Sequence, residues 1–108
     1  MSEPKLGYVY ILRDYGLINT YKLGITTRNI QIRIKELNQS PSAAVKLEYL
    51  SPATSRYKLV EKKLHIFFKN QNTKTGENKS LREWFVLTDT EYELLKALLK
   101  YEFECYKK

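Results

Sequence analysis

GYVYILRDYGLINTYKLGITTRNIQIR, Gly7 to Arg33, is the stretch whose reading decides the fold. Two apolar, tyrosine-rich runs, Tyr8–Leu12 and Tyr21–Thr26, flank a polar stretch, Arg13–Thr20, that contains Asp14, Gly16 and Asn19. Those three residue types tolerate turn dihedrals, so the pattern predicts a β-hairpin. Strand side chains alternate between faces. Tyr8, Tyr10 and Leu12 therefore share one side of the first strand, and on the second Tyr21, Leu23 and Ile25 oppose Lys22, Gly24 and Thr26. After Thr26 the period changes, with Ile30, Ile34 and Leu37 at the i, i+4, i+7 spacing of a helix stripe. Arg33 lies beside that stripe, in reach of the hairpin. One strand–turn–strand–helix unit thus gathers a Tyr, a Lys, a Gly that permits close approach, and an Arg.

Outward from this unit the pattern stays regular. Met1–Leu6 is a short polar lead. The first helix is predicted over about Asn29–Asn38, with Thr27 or Asn29 as its cap. Val45–Leu50 reads as a third strand, with Val45, Leu47 and Tyr49 alternating against Lys46, Glu48 and Leu50. Pro52 closes it. Thr54 or Ser55 can cap a second helix over about Ser55–Asn70, striped by Tyr57, Val60, Leu64 and Phe67 or Phe68. In that helix Glu61 and His65 stand four apart on one face, and Lys58, Lys62, Lys63 and Lys69 form a basic flank. Gln71–Ser80 holds no apolar residue and reads as a loop. Glu83–Leu87 is a short β-prone run. Thr90 and Glu93 then make a capping box for an amphipathic helix from Glu91 to about Tyr106, built on Leu94, Leu95, Leu98, Leu99 and Phe103.

At 108 residues the chain is one domain's worth, with a core over about 7–87 and a C-terminal helix over about 91–106. Nineteen Lys and Arg against twelve Asp and Glu give +7. That balance favours anionic partners, nucleic acid before membrane, because phosphate contacts release counterions. The lone cysteine, Cys105, excludes an intrachain disulfide framework and fits the cytoplasm or another reducing intracellular compartment. No apolar run reaches the length of a membrane span, so no membrane partner is expected.

Four segments carry chemistry in order: GYVY (Gly7–Tyr10), YKLGIT (Tyr21–Thr26), EKKLH (Glu61–His65) and EWF (Glu83–Phe85). Together with the strand–strand–helix–strand–helix order, this resembles the GIY-YIG nuclease superfamily, and in particular a small, often phage-associated branch of it. The resemblance covers about Gly7–Leu87. It implies an α+β fold: a small, mainly antiparallel three-stranded sheet flanked by helices. It further implies a metal-dependent endonuclease that hydrolyses phosphodiester bonds in DNA. Tyr10 matches the tyrosine of the first motif, Arg33 the arginine of the first helix, and Glu61 the metal-binding glutamate. The second motif departs from the superfamily: Lys22 stands where a tyrosine is usual, and Tyr21, one residue early, points to the opposite face. The usual late asparagine has no match; EWF takes its place.

Tyr10, Lys22, Arg33 and His65 are thus the candidate catalytic residues and Glu61 the candidate ligand of Mg²⁺ or Mn²⁺, which keeps several waters and takes phosphate oxygens. Arg33 offers a planar fork that grips phosphate bidentately. A free tyrosine titrates near 10, so Tyr10 as a base needs cations beside it, and Lys22 and Arg33 are the ones at hand. Arg28, Lys35, Lys58, Lys62, Lys69, Lys74 and Lys79 are the expected phosphate contacts on duplex or branched DNA. Specificity is expected from a homodimer, a targeting partner protein or DNA structure, and a viral protein would act in the host nucleus or cytoplasm. Singly, each residue also has an ordinary reading: a packing tyrosine, a solvated strand lysine, a surface Glu–His pair. The altered second motif leaves open a module of the same fold that binds nucleic acid and cleaves weakly or not at all.

Overall fold

The computed structural model describes residues 5–39, 44–69 and 84–105. Lys74, Lys79, the rest of the Gln71–Ser80 stretch and the start of the N-terminal lead lie outside the described residues. Along the chain run β1 (Tyr8–Asp14), β2 (Thr20–Thr26), α1 (Ile30–Leu37), β3 (Val45–Leu50), α2 (Tyr57–Phe67), β4 (Trp84–Val86) and α3 (Asp89–Lys100). The last helix winds on into a π-helical turn, Tyr101–Cys105. The fold is α+β, with an antiparallel sheet in the order β3-β1-β2-β4. Its fourth strand exceeds the expected three. Trp84–Val86 is too short to display a period, and only its pairing with Thr20–Lys22 makes it part of the sheet.

The hairpin forms as its residues dictate. Asp14 accepts from the Gly16 amide (2.9 Å) in a local turn, and Asn19 takes the left-handed conformation (φ 51°) that Asn tolerates. Pairing sets Tyr10 opposite Gly24 and Leu12 opposite Lys22, so these four share a face, while Tyr21 and Leu23 point to the other. In β3 the register slips: Ile11 pairs with Tyr49 but Leu12 with Leu47, leaving Glu48 as an extra residue. This β-bulge corrects the expectation that Val45, Leu47 and Tyr49 share a face. Val45 and Leu47 join Tyr10 and Leu12, whereas Tyr49 packs with Ile11.

Two unequal cores result. On one face α2 and α3 bury Tyr57, Val60, Leu64, Leu95 and Leu99 against Val9, Ile11, Tyr21, Leu23 and Phe85. On the other, α1 covers a smaller cluster of Tyr10, Leu12, Ile30 and Val45. Asn29 caps α1, its side chain accepting from the Gln31 amide (2.8 Å). The start of α2 lacks a side-chain cap and is held by packing instead. There Tyr57 lies flat on Gly7, where a Cβ would sit 2.9 Å from the ring. Arg56 and Lys63 pair with the buried Glu102 (3.2 and 2.8 Å), tying α2 to the C-terminal turn. The capping box of α3 is Thr88 with Glu91 rather than Thr90 with Glu93. The sequence TDTEYE satisfies the T-x-x-E pattern in both registers, and the earlier one buries Tyr92, Leu95 and Leu99 while leaving Leu94 exposed. Among the described residues no helix is long and apolar enough to cross a membrane.

Candidate functional site

Among the described residues β4 pairs with Thr20–Lys22 of β2. One residue further along β2, His65 of α2 meets the strand: its Nε2 lies 3.0 Å from the Leu23 carbonyl oxygen. A carbonyl can only accept, so Nε2 carries the hydrogen and donates. The imidazole is also fixed edge-on against the Phe85 ring (centroids 5.1 Å apart, 77°). Glu61 Oε2 stands 3.7 Å from the same nitrogen, beyond hydrogen-bond range.

At the other end of the same helix, Tyr57 lines a cavity together with Ile25 and Thr26 of β2. Tyr57, Glu61 and His65 form one stripe at i, i+4, i+8. Eight residues of helix advance about 12 Å, and Leu23 to Thr26 spans about 10 Å of strand. The stripe therefore sets Glu61 on α2 between the cavity-lining Tyr57 and the His65 that bonds β2. Across Gly24 lies the phenol of Tyr10: a Cβ added there would fall 2.5 Å from its hydroxyl oxygen. Gly24 is glycine because the ring needs the room.

The cavity holds about 460 Å³ and is lined by Lys5, Tyr10, Ile25, Thr26, Thr27, Arg28, Arg33, Tyr57 and Lys58. Four of these side chains are cationic and none is acidic. Behind them Glu36 pairs with both Arg28 (3.3 Å) and Arg33 (3.5 Å), a solvent-exposed arrangement of small energetic weight. A second hollow of about 410 Å³ adjoins it and shares Thr27 and Arg28, together making a trough across the ends of β1 and β2.

Tyr10, Arg33, Arg28 and Lys58, read from sequence as site residues, thus line one cavity. Lys22 shares their sheet face but not the described lining of the cavity. It is fully buried, its ammonium 5.6 Å from the Trp84 ring centre. Lys35, Lys62 and Lys69 are exposed on α1 and at the side and end of α2, outside that lining. Lys5 and Tyr57 line the cavity although no sequence pattern marked them as functional. The only available sign for Tyr57 was its i−4 spacing from Glu61. Among the described residues no group of three or more His, Cys, Asp or Glu gathers as a metal-holding cluster. A single carboxylate on the helix that lends Tyr57 and Lys58 to this cavity fits a hard cation that keeps its waters and takes phosphate oxygens, rather than a closed structural metal site.

Comparison with curated proteins and with solved structures finds no match. The T5orf172 domain profile matches residues 7–102, which takes in the hairpin, the cavity, the Glu61–His65 stripe and α3. By that match the chain belongs to the T5orf172 domain family, a phage-associated, nucleic-acid-related domain.

Proposed function

We propose that this domain is a metal-dependent DNA endonuclease of the GIY-YIG type. The observation that carries the reading is the convergence of Tyr10, Arg33, Arg28 and Lys58 on one cavity with no acid among its described lining residues, with Glu61 one helical turn from the lining residue Tyr57. A phosphodiester entering the cavity meets the Arg33 fork, which grips two oxygens and strengthens its hold as negative charge builds at phosphorus. Arg28 and Lys58 neutralise the neighbouring phosphates along the trough. Tyr10, across Gly24, would take the proton of the attacking water as a phenolate, a form favoured by the cationic Arg33 in the same cavity. Glu61 is the residue that would hold Mg²⁺ or Mn²⁺, which when bound neutralises phosphate charge and acidifies water.

The test is incubation of the purified protein with supercoiled and branched DNA, with Mg²⁺ or Mn²⁺ against chelator. Metal-dependent nicking is expected. Glu61→Gln should abolish it while leaving DNA affinity in chelator unchanged or slightly higher, since a negative charge is lost. Cleavage by well-folded Glu61→Gln at the wild-type rate removes Glu61 from the site.

One observation favours a second reading, a module of this fold that binds nucleic acid without cutting it. Lys22, at the position of the usual second tyrosine, is buried over Trp84 rather than in the cavity lining. Salt-dependent DNA binding with no nicking under any divalent metal would decide for it.

A further inference from the structure

We infer that His65 is a positioning residue: by donating from Nε2 to the Leu23 carbonyl it holds α2, and with it Glu61 one turn earlier, against β2. The inference rests on the reading of Glu61 as the metal carboxylate, and it removes His65 from the groups that exchange protons with substrate. Three observations meet on it. The Nε2–H is engaged by the Leu23 carbonyl of β2 at 3.0 Å, a bond from helix to strand across 42 residues of sequence. The ring is clamped edge-on by Phe85, which fixes its plane. Glu61 lies one helical turn before it and 3.7 Å from the same nitrogen, so a ring displaced from Leu23 would release both the helix and its carboxylate.

The helix is pinned at two points eight residues apart, Tyr57 on Gly7 and His65 on Leu23, and Glu61 is the residue halfway. With either pin withdrawn, the carboxylate's position relative to β2 is no longer set by the sheet. Residues that orient a metal ligand from behind commonly govern affinity as strongly as this arrangement implies.

Two measurements test it. In the wild-type protein near neutral pH, ¹⁵N resonances of the His65 ring should report hydrogen on Nε2. A ring with hydrogen on Nδ1 alone overturns the assignment. Mn²⁺ titration, read by paramagnetic resonance without DNA, should show affinity lowered about tenfold or more in His65→Ala and restored to within about threefold in His65→Gln, whose amide nitrogen can reach the same carbonyl. Circular dichroism establishes that each variant is folded. Equal Mn²⁺ affinity in wild type and folded His65→Ala overturns the inference while leaving Glu61 in place. Absence of Mn²⁺ binding in the wild type overturns the metal reading itself, a different result. If His65→Gln binds Mn²⁺ as poorly as His65→Ala while both fold, the bond to Leu23 is not what positions Glu61.

Discussion

The two faces of the sheet differ in size and in kind. Where α2 and α3 pack, the buried set among the described residues is broad and mostly aliphatic or aromatic, from Val9 and Ile11 through Leu95 and Leu99 to Phe103. Where α1 packs, only Tyr10, Leu12, Ile30 and Val45 form the buried apolar set, with a fully buried lysine, Lys22, beside them. The short α1, eight residues long, leaves Ile34 and Leu37 half-buried. A face that served stability alone would not bury an ammonium. The larger face supplies most of the buried apolar surface, and on the proposed function the smaller one holds groups in place for chemistry.

The division is broken or upheld most directly by a pair of substitutions. Leu99 is fully buried on the larger face, and Leu99→Ala should cost about 2–5 kcal/mol of stability through lost burial and a residual cavity. Urea unfolding measures this, and the cleavage rate of the folded fraction should be unchanged. Arg33→Ala should do the reverse. Its side chain is about a third exposed, so the unfolding midpoint should barely move, while cleavage slows on the order of 10²–10³ as the donor to the charged phosphate is lost. Arg33→Lys should recover only part of the rate, because an ammonium cannot form the bidentate fork. An Arg33→Ala protein that loses stability but not rate would place the arginine with the packing residues and erase the contrast.

A smaller effect is expected at Gly24, within the smaller face. Gly24→Ala sets a methyl against the Tyr10 phenol, which is almost completely buried and has little space to retreat. Overpacking of this kind costs about 1–3 kcal/mol. If the clash is with Tyr10 alone, Tyr10→Ala should relieve it, and the double variant should be more stable than the sum of the single changes predicts. Additive losses in denaturant melts would mean the methyl collides with something other than the phenol.

How far the sequence revealed these faces depends on the range of the signal. The separation of Tyr10, Gly24 and Lys22 from Tyr21 and Leu23 follows from strict alternation and turn residues, and the pairing agrees with it. The bulge at Glu48 was not legible, because one extra residue leaves the local alternation of Val45, Leu47 and Tyr49 intact while changing which face each reaches. Trp84–Val86 is a strand only by virtue of its partner. Two overlapping capping patterns at Thr88 and Thr90 were resolved by burial further along the helix. Arg33 and Lys58 could be chosen by charge and position. The docking of His65 on a strand carbonyl 42 residues earlier depends on how α2 packs on the sheet, which nothing near His65 encodes.

The smallest effect concerns a tyrosine–glutamate cluster at the larger face, and it is read in alkali. The bulged Glu48 accepts from the hydroxyls of Tyr92 (2.9 Å) and Tyr15, and Tyr92 stacks on Tyr21 at 4.3 Å between centroids. All three phenols titrate above their ordinary value of 10. For Tyr92 and Tyr21 burial is the leading cause, while for Tyr15 it is the hydrogen bond to Glu48. Below pH 10 folded and unfolded chains hold the same phenolic protons, so this contribution to stability is complete and constant. Above pH 10 the unfolded chain releases protons that the folded one retains, and stability must fall as pH rises. Glu48→Gln removes the charge that favours the protonated phenols but leaves their burial. The variant should therefore lose stability less steeply between pH 10 and 11 than the wild type, though not become independent of pH. Lysines and the remaining tyrosines titrate in both proteins, so the difference in urea midpoints between the two isolates the cluster. Parallel curves would mean that burial alone sets these phenols, and that the bulge at Glu48 shapes the strand without tuning their charge.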